Sequence, residues 1–191
     1  MSSDLPYYET LYGVYLQDLT YSYGAGQFVD TNYILTKDYY DEGDMTTDYT
    51  TLAAGSNTIK FLYPHWIKKQ YYIEGVIEGQ FTLSCLNDYD TLISYEVKVM
   101  KVDDTGFTDQ IGTTGVKIPS NLSFTWYSNY NVGTEIVYPF SIEVSPEKKM
   151  LDKERIYVEI TIVATSDFLI FYHTNDATWQ DLKIAIPFRG L

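Results

Sequence analysis

The sequence predicts an all-β protein: an antiparallel β-sandwich of jelly-roll type carried behind an extended N-terminal arm. Three observations lead there. From about Thr58 onward apolar residues recur at every second position, turn residues divide these segments, and no stretch has convincing helical spacing. Without crossover helices a parallel sheet cannot connect its strands, so antiparallel strands stacked in two layers are what remains.

The first fifty residues differ from the rest. They hold ten of the twenty tyrosines but only eight Leu, Ile or Val, and no amphipathic period survives in them beyond a few residues. Such a segment cannot easily build a core of its own. Tyrosine offers a large flat surface with a polar tip at low rotamer cost, which suits contact with another protein or with the body of the same chain. Residues 1–57 therefore read as a tyrosine-rich acidic arm ordered by docking, with Tyr7, Tyr8, Tyr12, Tyr15, Tyr21 and Tyr23 as candidate partner-binding residues. The alternative is an irregular first layer of the main domain, which spans residues 58–191.

In that domain the strands follow in order. "FLYPHWIKKQYY" forms a turn, and in "YYIEGVIEGQFTLS" Ile73, Ile77, Phe81 and Leu83 share one face against Glu74, Glu78, Gln80 and Thr82 on the other. Tyr95, Val97 and Val99 alternate with Glu96, Lys98 and Met100, and "DDTG" closes the strand into a hairpin, because Gly106 takes positive φ without strain. Phe140, Ile142 and Val144 point inward from "TEIVYPFSIEVS", which "PEKKMLDKE" follows as a loop. In "RIYVEITIVAT", Ile156, Val158, Ile160 and Ile162 alternate with Tyr157, Glu159, Thr161 and Val163. "DFLIFYH" and "DLKIAIPF" complete a set of seven or eight strands, the last with Leu182, Ile184 and Ile186 inward. His173, Asp176 and Trp179 fall in "HTNDATWQD", where Asn, Asp and Thr favour a connection between the final strands; Asp176 braces that loop and Trp179 closes an end of the sandwich.

Charge excludes some partners. A net charge of −13, of which −8 lies in residues 1–50, opposes nonspecific nucleic-acid binding, which depends on cations displacing phosphate counterions, and opposes anionic membrane surfaces. The apolar runs fall short of the ~20 residues of a membrane helix, and the start lacks the basic-then-apolar order of a signal peptide. Cys85 is the single cysteine, read as a buried small apolar residue, so no internal disulfide and no thiolate zinc site is available within the chain.

Chemistry finds little footing. There is no G-x-S-x-G elbow, and His65 and His173 are the sole conventional bases. Packing or turn formation accounts for His65 in "YPHWI", and two distant histidines do not make a zinc site. No dinucleotide or P-loop motif is present, and no pair of carboxylates stands out for glycoside hydrolysis. "KDYYDEGDMTTD" offers Asp38, Asp41, Glu42, Asp44 and Asp48 to calcium, yet aligning Gly43 on the EF-hand glycine puts Tyr49 where the bidentate glutamate belongs. A solvated acidic loop is the preferred reading. Asn121 heads a formal glycosylation triplet, read as a chance match. Trp126, Tyr127 and Tyr130 form a candidate platform for stacking on a sugar ring, against the plainer reading of core or interface packing.

The order of pieces resembles a known group. "YYIEGVIEGQFTL", "SYEVKVMKVDDTGFTDQIGTT", "LDKERIYVEITIVA", "FYHTND" and "LKIAIPFRGL" are similar to the all-β structural proteins of tailed-bacteriophage virions. In those a Y-x-I/V-E-G strand, a V-K-x-x-K-V-D-x-x-G hairpin, an R-x-x-V-E-I strand, an aromatic or glycine before His and Asn/Asp, and a terminal I-P-F recur in this sequence. The resemblance covers about residues 70–191 and leaves out the arm. It implies a non-enzymatic virion component without cofactor: a head decoration, head-fibre or neck and tail accessory protein. Its partners would be other virion subunits and further copies of itself, with a trimer by analogy, and it would assemble in the host cytoplasm. The alternative function is a carbohydrate- or receptor-binding β-sandwich module.

Overall fold

Two-residue alternation buries one side of each strand, and two such sides facing each other make a core. A computed structural model of the chain describes residues 7–15, 21–22, 30–31, 33–37, 49–65, 67–85, 92–118, 135–172 and 182–190. Among these every regular element is a strand: β1 (Tyr7–Tyr15), β2 (Tyr21–Ser22), β3 (Asp30–Thr31), β4 (Tyr33–Thr36), β5 (Tyr49–Leu52), β6 (Gly55–Leu62), β7 (Tyr71–Cys85), β8 (Leu92–Val102), β9 (Thr108–Thr113), β10 (Glu135–Met150), β11 (Arg155–Ala164), β12 (Phe168–Phe171) and β13 (Lys183–Gly190). The fold is all-β, as expected.

Eleven strands form one sheet in the order β5-β12-β7-β13-β1-β4-β6-β11-β8-β9, with β10 on the other edge of β7, while β2 and β3 pair separately. β4 meets β6 through the parallel pair Ile34↔Leu62. Strands remote along the order then touch through side chains. Phe81 of β7 lies edge-on to Tyr95 of β8 at 5.2 Å between ring centroids, and a Cβ on Gly112 of β9 would meet Ile142 of β10. The result is a sandwich-like body whose main core joins both halves.

The inward residues read from period two are where alternation puts them. Ile73, Ile77, Phe81, Val97, Val99, Ile142, Ile160, Ile162, Ile184 and Ile186 are all buried. The β8–β9 hairpin forms at "DDTG", with Gly106 at φ 87 and Asp103 accepting hydrogen bonds from the amides of Thr105 and Phe107 and from the Thr105 hydroxyl. Those bonds, the Thr105 hydroxyl foremost, hold the Asp103 carboxyl below its ordinary range.

Four expectations need correction. The boundary at residue 58 does not separate an arm from a body: β1 lies between β13 and β4, β5 pairs with β12, and Leu11, Val14, Ile34 and Leu35 are buried. The physical reason is that a strand without a clean alternation can still take a place in a sheet and bury the few apolar residues it has. Second, "PEKKM" is strand rather than loop, because β10 continues along β7 past a register shift between Val144 and Lys148. The chain turns only at Leu151–Glu154, where Glu154 accepts from the Leu151 amide at 2.6 Å and pairs with Lys101 at 2.9 Å. Third, Thr82 faces outward by parity yet is fully buried, as is Ser84. Fourth, Tyr157 is buried in a small second cluster with Leu62 and Val102. Between β6 and β7 the described residues form no regular element, Ile67 bonding through its backbone to Lys153 and Glu154, and Cys85 ends β7.

Candidate functional site

A cleft lies across the outward side of β10-β7-β13-β1. Its floor follows from register. Ser141 lies opposite Glu78 and Pro139 opposite Gln80; Ala185 lies opposite Glu78 and Lys183 opposite Gln80; Thr10 lies opposite Ala185 and Tyr12 opposite Lys183. Two straight rows result, Ser141–Glu78–Ala185–Thr10 and Pro139–Gln80–Lys183–Tyr12. With strands about 4.8 Å apart and residues two apart on one strand, the floor measures roughly 14 Å by 7 Å. Between the rows, Gly79 permits close packing: a Cβ there would come within 2.4 Å of the Phe140 ring and 2.7 Å of the Lys183 carbonyl oxygen.

Tyr95, Thr114 and Lys117 line the same cleft, which encloses about 790 Å³. Their backbone is locked: Tyr95 and Lys117 exchange both N–H···O bonds, at 2.9 and 2.7 Å, and the Thr114 hydroxyl accepts from the Val97 amide while donating to the Gly115 carbonyl. Burial raises the Tyr95 phenol, so it stays protonated and able to donate. Among the described residues Glu78, Lys117 and Lys183 make no ion pair. By contrast Arg189 bridges Glu74 and Glu147, and Lys98 lies between Glu96 and Glu159.

A second, smaller cavity of about 230 Å³ is lined by Tyr7, Glu9, Lys37, Tyr63, His65 and Tyr71, among others. Here Lys37 pairs with Glu9 and lies over the Tyr63 ring, while His65 meets that ring edge-on at 5.3 Å. Tyr7 stacks on Phe188 at 5.9 Å and meets Tyr71 edge-on; burial and then Tyr71 raise its phenol. Packing accounts for the exposed His65.

The tyrosines proposed for partner binding divide. Tyr7 and Tyr8 are 47% and 54% exposed. Tyr12 is half-buried in the large cleft. Tyr15 turns inward instead, tilted on Tyr33 and stacked on Tyr172, where burial and then Tyr33 push the Tyr172 phenol up. Tyr21 lies in β2, and Tyr23 falls outside the described residues, as do the platform Trp126, Tyr127 and Tyr130, the acidic stretch 38–48, Asn121, His173, Asp176 and Trp179. The cleft itself escaped sequence reading. Its one legible sign was the polar face of β7, Glu78 and Gln80.

No family model matches the chain, and no curated protein does. Solved structures share its fold. A CocE/NonD family hydrolase from Staphylococcus aureus matches with TM-score 0.55 and 12% identity over 96% of this chain and 37% of its own. An aminopeptidase from a marine sediment archaeon, Thaumarchaeota archaeon, matches with TM-score 0.61 and 9% identity over 96% of this chain and 37% of its own. The chain thus spans little more than a third of the length of these structures. They overturn the expectation that it stands outside enzymes. Its sandwich also occurs within chains named as a hydrolase and an aminopeptidase, so an all-β architecture does not set it apart from them.

Proposed function

We propose that the chain is a structural component of a tailed-phage virion that works by docking against neighbouring virion subunits, copies of itself among them. The observation that carries this reading is that the quoted pieces resembling such proteins fall in order on β7, the β8–β9 hairpin, β11 and β13, strands of one connected sheet. A second support lies on the outward face of β1. Tyr8 is exposed there, and exposed Val76 lies on β7, on the far side of β13. Large amphipathic rings on a rigid strand suit burial against a partner.

Quantitative mass spectrometry of gradient-purified particles tests the reading. The chain should co-purify at a fixed copy number, and Tyr8→Ser with Val76→Ser should reduce its incorporation severalfold while leaving its melting temperature within a few degrees. Purified particles that lack the chain overturn the proposal.

A further inference from the structure

We propose that the cleft across β10-β7-β13-β1 binds an oligosaccharide bearing carboxylate groups, a uronic- or sialic-acid-containing glycan laid across the strands. Its volume of about 790 Å³ falls in the usual range of small-molecule sites, about 300–1,000 Å³. The floor is a sheet whose register is fixed by backbone bonds on both sides, so little ordering is required when a ligand arrives. Its length of roughly 14 Å, set by three inter-strand steps, accommodates a short run of sugar rings rather than a single one.

The lining matches that chemistry group by group. Sugar hydroxyls both donate and accept. Glu78 accepts, the Gln80 amide does both, and the hydroxyls of Thr10, Ser141 and Tyr95 add further partners around the floor. The ring of Tyr12 at one end of the rows offers aromatic surface to the apolar face of a sugar ring. The Thr114 hydroxyl is spent on the chain's own backbone and serves to hold the wall.

Charge selects among glycans. Lys117 and Lys183 stand in the cleft against the single carboxylate of Glu78, and no ion pair among the described residues engages them. On a chain of net charge −13 this local excess of cations is set against the overall sign. A neutral sugar leaves both ammonium groups unmatched; a polyphosphate meets Glu78 in the middle of the floor. A carboxylated sugar satisfies the lysines while its hydroxyls engage Glu78. The inference is independent of the virion reading, and its failure leaves that reading untouched.

The full chain is applied to a glycan array carrying neutral, carboxylated and sulfated oligosaccharides, and the strongest hit is titrated calorimetrically. Retention on carboxylated glycans is expected, weakening as salt rises. Lys117→Glu with Lys183→Glu should lower affinity at least tenfold, Lys183→Gln alone should lower it measurably, and Lys69→Glu, on an exposed residue away from the cleft, should leave it unchanged. Melting curves of each variant separate lost binding from lost folding. An array without a carboxylated hit, a preference for neutral glycans, or equal binding by Lys183→Gln overturns the proposal.

Discussion

β1 and β11 are both interior strands, yet they are secured in different ways. β11 meets β6 over eight residue pairs and β8 over ten, a ladder that is nearly unbroken on both edges. β1 meets β13 over six pairs and β4 over four, and β4 reaches the next strand through one pair alone. Rings supply what the ladder lacks: Tyr7 on Phe188, and Tyr15 on Tyr33 and Tyr172. Aromatic pairs of this kind add about 0.5–1.5 kcal/mol each beyond their buried area. One region is therefore ordered by its own backbone pairing, the other also by packing its tyrosines onto β13, β4 and the residue that follows β12.

The sharpest way to break this comparison is to delete residues 1–15. Without β1, Ile184 and Ile186 of β13 and Leu35 of β4 lose a neighbour in the core. The cooperative unfolding transition should disappear from a thermal melt followed by circular dichroism. A transition of normal midpoint and width would return β1 to the status of an appendage.

Single truncations sharpen it. Leu11→Ala in β1 and Ile160→Ala in β11 both remove buried side chains, and each should cost about 2–5 kcal/mol in urea unfolding, the usual range for core truncations. A cost below ~1 kcal/mol for Leu11→Ala alone would mean that the aromatic contacts do not hold β1 in the core.

The smallest effect concerns a local support of the ladder region. Because the Asp103 carboxyl lies below its unfolded value of about 3.9, its charged form favours the folded state. That contribution is complete above the unfolded value and is lost as pH falls through the folded one. Asp103→Asn should therefore flatten the acid limb of the stability curve slightly and leave β1 unaffected, as read by urea unfolding of both proteins at a series of acidic pH values and by amide exchange in the β8–β9 turn.

Legibility followed the same division. Ile156, Val158, Ile160 and Ile162 declared their side because isoleucine and valine have one preference, and alternation is a property of a single strand. "YYETLYGVY" declared nothing, since tyrosine is at home on either face: Tyr8 is exposed, Tyr12 is half-buried over the cleft, and Tyr15 packs against the core. Period two also could not mark where a strand stops along a long partner, so the continuation of β10 through Lys148 and Lys149 passed for a loop.

What the sequence determined by itself was the class of the fold, the inward face of each C-terminal strand and the hairpin at Gly106. All are local consequences of residue type, spacing and backbone freedom. Only the tertiary structure decided that β1 lies between β13 and β4, and that Glu78, Gln80, Thr10, Tyr12, Ser141 and Lys183 come together as two rows. Adjacent members of those rows lie far apart in the chain, the nearest pair being Pro139 and Gln80. Their alignment depends on which strand edges meet and in what register, a choice set by the whole core rather than by any one segment.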